Sequence, residues 1–167
     1  MVLTKSELIA SLQNEVRILL HLAGKIDRAT LDYRPTPKQR STIELLRYLT
    51  VMGPALVRAA KSGAFDPAAW TAAENAASVG DFDQTLVALA AQSAVYAELL
   101  ADVSDADFRA EVEIFGGKCS RGAFLVNTVL CGCAAYRTQI FLYLKSCGRQ
   151  DLNTMNLWAG VDPPRKD

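Results

Sequence analysis

The chain has 167 residues, half of them apolar and 22% charged, which fits one compact domain with a sizeable core and excludes a disordered chain. We therefore treat residues 1–167 as a single domain. Eighteen basic residues balance eighteen acidic ones, so charge gives no reason to expect a nucleic-acid partner. No apolar run reaches the roughly 18–20 residues that span a bilayer, and with charges at Lys5 and Glu7 we expect no signal peptide. With no C-x-x-C pair among its four cysteines, the sequence predicts a reduced, cytoplasmic protein without a membrane partner.

Two long helices are predicted in the first third of the chain. Thr4 and Glu7 form a capping box in front of apolar residues at three- and four-residue steps, which predicts a helix over residues 5–26. Ser41 and Glu44 form a second capping box, so the next helix begins at about residue 42. Pro54 falls inside that helix, and we expect a kink or break there because proline removes one backbone hydrogen bond.

Two more long helices and a short one follow. Asp66 before Pro67 is typical of a helix start and predicts a short helix to about residue 75. Asp81 caps a third long helix that runs to about residue 102. Ser120 caps a fourth that runs to about Lys145 and stops at Gly148. Residues 152–158 form a tail with room for one turn of helix.

The linkers are long, over residues 27–40 and 104–119. The first contains two prolines and is expected to be an extended crossover. Residues 111–115 (EVEIF) alternate at period two, but no partner strand is evident, so we interpret them as an extended crossover and not a sheet. Four long helices with two long linkers predict an all-α four-helix bundle that is not in simple up-down order, plus the short extra helix and the C-terminal tail.

Several segments share the pattern of a known family. Residues 33–41 (YRPTPKQRS), 44–48 (ELLRY), 136–139 (YRTQ) and 139–144 (QIFLYL) resemble, in their order and spacing, the DinB-like four-helix-bundle family over most of the chain. The resemblance implies a homodimer and a divalent metal held by one histidine from the second long helix and two from the fourth. It also implies the thiol-dependent transferase chemistry of some members, in which the metal activates a thiolate.

The implied ligand positions hold no histidine in this chain. They carry Tyr48, Gly132 and Tyr136, and the one histidine, His21, lies elsewhere. Glycine has no donor, and a phenol with a pKa near 10 is a poor ligand at neutral pH, so we predict no metal and no cofactor. Tyr48 and Tyr136 should lie close together across the two helices. They either fill the former cavity or face a small pocket that binds a polar ligand.

The neighbours of these positions allow two interpretations. Cys133 is either a thiol whose pKa is lowered by Arg137 or a small buried hydrophobic residue. Arg137 is expected to tie the fourth long helix to residues 35–40 or to Glu44. His21 is either a structural histidine or a proton carrier. We expect solvated or partner-facing charges at Arg47, Arg40 and Lys38, and hydrophobic plugs at Trp70 and Trp158.

Two functions follow from this pattern. The first is binding of a small molecule or a protein partner in the bundle cleft, with candidate residues Tyr48, Cys133, Tyr136 and Arg137. The alternative is a thiol-dependent transferase that works without a metal or with an atypical one, so whether the protein is an enzyme stays open. A DNA-damage role suggested by the family's name finds no support, because the chain has no basic stripe.

Overall fold

The computed structural model describes residues 3–164, which contain seven α-helices and one β-hairpin. The helices are α1 (Lys5–Ala23), α2 (Thr42–Ser62), α3 (Pro67–Ser78), α4 (Phe82–Leu100), α5 (Asp105–Arg109), α6 (Arg121–Phe124) and α7 (Cys131–Ser146), and the strands are β1 (Glu111–Ile114) and β2 (Gly117–Ser120). A π-helical segment, Leu125–Leu130, joins α6 to α7 directly, so these three form the fourth long helix. A 3₁₀ turn, Arg28–Thr30, lies in the first linker, and a π-helical turn, Met155–Ala159, lies in the tail.

The helices begin where the capping residues predict. The Ser41 hydroxyl accepts the Glu44 backbone N–H, and the Glu44 carboxylate accepts the Ser41 N–H at 2.7 Å. Thr4 with Glu7 makes the same reciprocal pair in front of α1. Each such cap provides a hydrogen-bond acceptor for backbone N–H groups that have no partner within the helix. It stabilises the helix by about 1 kcal/mol. The boundaries differ slightly from the prediction, since α1 ends at Ala23 and α3 continues to Ser78.

The four long helices enclose one apolar core. Helix α1 packs against α4 and α7, and α2 packs against α4, the π-helical segment and α7. The largest fully buried apolar side chains come from all four: Leu12, Ile18, Leu22, Leu45, Leu46, Met52, Leu89, Leu100, Leu125 and Ile140. Burying a side chain of this size stabilises the fold by about 1.5–3 kcal/mol. The all-α four-helix bundle is thus confirmed. Within residues 3–164, every helix is too short or too polar to cross a bilayer.

The prediction of a strand-free second crossover was wrong. Strands β1 and β2 pair antiparallel, with Val112 opposite Cys119 and Ile114 opposite Gly117. The partner strand lies directly after a two-residue turn, Phe115-Gly116, and both turn residues have positive φ angles (57° and 75°). That geometry is the type I′ turn that matches strand twist. A bulky residue in the left-handed region is unusual, so the turn was not evident from a phenylalanine at its first position.

Pro54 does not break α2, contrary to one of the two predicted outcomes. The helix runs from Thr42 to Ser62, and both Gly53 and Pro54 are buried within it. Gly53 lies against Tyr96 of α4, where a side chain would collide with the phenol. The glycine therefore permits close approach of two helices at this point.

Helix α3 lies outside the bundle. None of its residues is buried, and six of its twelve are alanine. Its attachments to α2 include the half-buried Trp70 and, just beyond its end, the Gly80 carbonyl. The Arg47 guanidinium donates to that carbonyl at 2.9 and 2.6 Å. Small side chains leave space between α3 and the bundle, and the candidate site lies in this space.

Candidate functional site

Tyr48 and Tyr136 meet across the bundle. Their ring centroids lie 5.1 Å apart at an interplanar angle of 69°, an edge-to-face contact that is favourable between aromatic rings. The expectation that the two vacated ligand positions lie side by side is confirmed. Both residues are half-buried, so neither simply joins the closed core.

The third position, Gly132, also faces α2. A Cβ built at Gly132 would lie 3.4 Å from the Met52 methyl group and 3.6 Å from its sulfur. Met52 follows Tyr48 by one helical turn, so the methionine occupies the space beside the glycine. The three positions therefore share one face between α2 and α7, as the resemblance implies, but present two phenols and no third donor.

A cleft of about 280 Å³ opens beside Tyr48, between α2 and α3. Its polar lining consists of Arg40, Glu44, Arg47, Tyr48, Glu74 and Ser78. Tyr136 supports the ring of Tyr48 from behind and does not line the cleft. Of the four candidate residues, Tyr48 is thus the one that lines the cleft.

Arg40 covers the face of Tyr48. The guanidinium carbon lies 3.9 Å from the ring centroid, within range of a cation–π contact. Burial raises the pKa of Tyr48 above its ordinary value, and the neighbouring Tyr136 raises it further, so the phenol is neutral at pH 7. Within residues 3–164 the Arg40 side chain makes no hydrogen bond or ion pair, so its N–H donors remain for a ligand.

The Tyr48 ring belongs to a longer aromatic row. Trp70 of α3 contacts it at 5.9 Å, and Phe65 contacts Trp70 at 5.5 Å. Phe115 at the hairpin turn lies 5.0 Å from Phe65 and 6.3 Å from Phe124. The row therefore connects the cleft, α3 and the hairpin through successive ring contacts.

Cys133 lies on another face of α7. Its thiol is near Tyr96, Glu15 and Arg137, inside the bundle. Burial raises the pKa of Cys133 to about 12, and the negative charge of Glu15 adds to the shift. The interpretation in which Arg137 lowers the pKa of this thiol was wrong, because the loss of hydration outweighs the attraction of the arginine. Cys133 is therefore a half-buried thiol whose raised pKa makes it a poor nucleophile at neutral pH.

Arg137 points to α1 and the tail, not to the first linker. Its Nε lies 3.0 Å from Oε2 of Glu15, an ionic contact without hydrogen-bond alignment, and both side chains are almost completely buried. Its Nη1 donates to the Leu157 carbonyl at 2.5 Å. The prediction that Arg137 binds residues 35–40 or Glu44 was therefore wrong. Burial raises the pKa of Glu15, and Arg137 partly offsets that shift.

The first linker is held by other residues. The Tyr143 hydroxyl of α7 donates to the Arg40 carbonyl at 3.0 Å, and Arg34 pairs with Glu44 at 3.2 Å. Sequence reasoning assigned this tie to the fourth long helix correctly but to the wrong side chain. Arg137 and Tyr143 lie on different faces of α7, since six residues separate them.

Three further expectations were tested. His21 is half-buried, with Nε2 3.1 Å from Asn156 Nδ2, and burial lowers the pKa of its imidazole. Arg47 is not a solvated charge, because it donates to the Gly80 carbonyl. Trp158 is not a hydrophobic plug. It is 68% exposed and lies against Arg137, 5.5 Å from the guanidinium carbon to the ring centroid.

The residues at the three ligand positions do not fit a divalent metal. Gly132 offers no donor, and the raised pKa of Tyr48 makes a phenolate unavailable at pH 7. Elsewhere in residues 3–164, histidine, cysteine and carboxylate side chains form no group of three that could hold a metal ion. The chemistry open to this cleft is therefore that of hydrogen bonds, stacking and charge.

Sequence reasoning missed Arg40 and Glu74 as cleft residues. Arg40 sits eight residues before Tyr48, outside any helix, so periodicity gives no signal for its position over the ring. Glu74 comes from α3, whose attachment to α2 depends on Trp70. The available signal was Trp70 itself, a large aromatic side chain in an alanine-rich segment, and it was interpreted only as a plug.

Comparisons with known proteins support the fold. No family model matches the sequence, and no curated protein matches it. Among solved structures, the chain is similar to the crystal structure of a DinB-like protein, YjoA, from Bacillus subtilis, with a TM-score of 0.66. The two share 15% sequence identity, and the match covers 87% of this chain and 95% of the other. The chain therefore has the DinB-like fold.

Proposed function

We propose that this protein binds a small, planar, polar organic molecule in the cleft beside Tyr48, without a metal. The observation that carries the proposal is the position of Arg40 over the Tyr48 ring at the mouth of that cleft. A guanidinium offers several donors in a plane, and these donors have no partner within residues 3–164. A carboxylate or amide on a flat ring would complement both the donors and the aromatic row.

The mixed charge of the cleft limits the ligand. Glu44 is engaged by the Ser41 N–H and by Arg34, and Arg47 is engaged by Gly80. Arg40 and Glu74 remain as the charges that face the opening. A strongly charged ligand such as a polyphosphate would be attracted by Arg40 but repelled by Glu74. The site therefore favours molecules with a single polar group.

The proposal is tested by binding of benzoate and benzamide to the full chain, followed by amide chemical shifts in NMR. We expect saturable shifts at Tyr48, Val51 and Ala77. Arg40→Gln should weaken benzoate binding roughly fivefold, because the ionic contact between the guanidinium and the benzoate carboxylate is lost. Arg28→Gln is the matched control, since Arg28 covers the ring of Phe82, away from the cleft. Equal affinity in both variants, or shifts elsewhere, would refute the site.

The transferase alternative forms a second arm of the same experiment. A thiol-dependent reaction would need an external thiol, because Cys133 is half-buried and its pKa is raised. We would measure turnover of an electrophilic aryl halide with glutathione, before and after dialysis against a chelator. A rate equal to the uncatalysed one sets the alternative aside. Elemental analysis of the dialysed protein tests the absence of a metal in the same sample.

A further inference from the structure

A second cavity lies where the start of α1 meets the start of the fourth long helix. Its volume is about 430 Å³, larger than the cleft beside Tyr48 and within the range of small-molecule sites. Its walls are mainly apolar and include Leu3 and Leu8 of the N-terminal segment, Phe108 of α5, and Val126. No residue of this cavity lines the cleft beside Tyr48, so the two sites are separate.

The charged side chains that line this cavity are both basic. They are Lys5 and Arg109, in a chain whose net charge is zero. Lys5 donates one N–H to the Ala101 carbonyl at 2.9 Å and retains two more. The Arg109 side chain makes no hydrogen bond or ion pair with any residue in the range 3–164. The opening therefore offers positive charge beside an apolar interior.

Three acidic residues in the neighbouring segments are committed to other partners. Glu7 accepts the Thr4 N–H at 2.7 Å, and Asp107 accepts the Ser104 N–H at 2.8 Å. Asp102 pairs with Lys61. These contacts hold the pKa of each carboxyl below its ordinary value, so the carboxylates stay ionised and in place. They do not neutralise Arg109 by direct contact.

The backbone changes form at the cavity wall. Val126 and Asn127 belong to the π-helical segment Leu125–Leu130, in which the helix is wider than an α-helix. Leu125 and Val129 of the same segment are buried in the core, while Val126 and Asn127 face the cavity. Single π-helical turns inside α-helices occur frequently at functional sites. Here the extra width presents two side chains to the cavity without removing the core contacts.

We propose that this cavity binds an amphipathic carboxylate, with an alkyl chain among Leu8, Phe108 and Val126 and the acid group at Lys5 and Arg109. The apolar wall supplies affinity through burial, at about 25 cal/mol per Å² of apolar surface. The two cations select an acid over a neutral molecule of the same length. This site is independent of the cleft beside Tyr48, and its ligand differs in having a long apolar body.

The test uses the full chain and three probes: decanoate, decan-1-ol and acetate. We expect decanoate to bind saturably, with NMR amide shifts centred on Phe108 and Val126. Decan-1-ol should bind roughly two- to fivefold more weakly than decanoate, because it lacks the exposed ionic contact. Acetate should give no shift. Arg109→Gln should remove the preference for decanoate over decan-1-ol.

A second variant tests the cavity itself. Val126→Trp fills the space and should abolish binding of both decanoate and decan-1-ol. Val87→Trp is the matched control, because Val87 is exposed on α4 and lines no part of the cavity. Binding that persists in Val126→Trp, shifts centred on Tyr48, or equal affinity for acid and alcohol would overturn the proposal. If Val126→Trp loses its helical circular dichroism, the comparison of probes in Arg109→Gln decides alone.

Discussion

Gly53 of α2 and Tyr96 of α4 are so close that a Cβ at residue 53 would lie 1.9 Å from the phenol oxygen. Tyr96 cannot move aside freely, because it is fully buried and donates to Gln92 Oε1 at 3.1 Å. Gln92 in turn donates to the Leu49 carbonyl at 2.7 Å. The missing side chain at Gly53 therefore determines how closely α2 and α4 approach.

Gly53→Ala should destabilise the protein by about 1–3 kcal/mol, the usual cost of overpacking a core. Gly132→Ala is the matched control, since its Cβ would meet Met52 at ordinary contact distance and alanine favours helix. That control should leave the free energy of unfolding unchanged or raise it. Urea denaturation measures both variants. Equal effects of the two substitutions would show that the Tyr96 contact does not constrain residue 53.

Glu15→Ala should destabilise the protein by about 3–5 kcal/mol, because it leaves the buried charge of Arg137 without its partner. The double variant Glu15→Leu/Arg137→Met should regain much of that loss, since no buried charge remains. Asp102→Ala removes an exposed partner of Lys61 and serves as a control with little expected effect. Urea denaturation distinguishes these outcomes, and a Glu15→Ala variant as stable as the control would contradict a buried pair.

Thiol reagents should separate Cys131 from Cys133. Cys131 is exposed, whereas burial raises the pKa of Cys133 to about 12. At neutral pH, Cys131→Ser should remove a fast phase of reaction with a disulfide reagent, and Cys133→Ser should leave that phase unchanged. Absorbance of the released thiolate follows the kinetics. Loss of the fast phase in Cys133→Ser would restore the case for a reactive thiol in the bundle.

Stability should fall in alkali. The folded protein retains protons on Cys133, Tyr96 and Tyr48, whose pKa values are raised by burial, while the unfolded chain releases them at ordinary values. The contribution is complete below those ordinary values and is lost as pH rises toward the folded ones. For Cys133 this stabilisation is lost as pH rises from the ordinary pKa of 9.0 to about 12.

Cys133→Ala tests this dependence. Removing the thiol should make the free energy of unfolding fall less steeply above pH 9.0, when measured by urea denaturation at several pH values. Cys131→Ala is the control, because Cys131 lies two positions away on the same helix and is exposed. An identical slope in both variants would show that Cys133 is not desolvated in the folded protein.

The features that the sequence predicts well are local ones. Capping pairs such as Thr4 with Glu7 act within one turn, so their residues are read together along the chain. The hairpin also depends on neighbouring residues, but its turn has a phenylalanine in the left-handed region, which sequence preferences oppose. The π-helical segment Leu125–Leu130 could not be predicted from the sequence either, because a single wide turn barely alters the spacing of the apolar residues.

The candidate site required contacts between distant parts of the chain. The proximity of Tyr48 and Tyr136 was predictable because the family resemblance supplies the pairing of the two helices. Nothing comparable placed Arg137 against Glu15, since 122 positions separate them and each is an ordinary charged residue on its own helix. The raised pKa of Cys133 comes mainly from burial, which agrees with the alternative of a small buried residue and not with activation by Arg137.

The exposed position of α3 has a consequence for exchange with solvent. Because none of its residues is buried, its hydrogen bonds should open in fluctuations that cost far less free energy than unfolding of the bundle. The ring contact between Trp70 and Tyr48 opposes such opening at the wall of the cleft. Amide hydrogen exchange in α3 would then be fast in the free protein and slower when a ligand occupies the cleft.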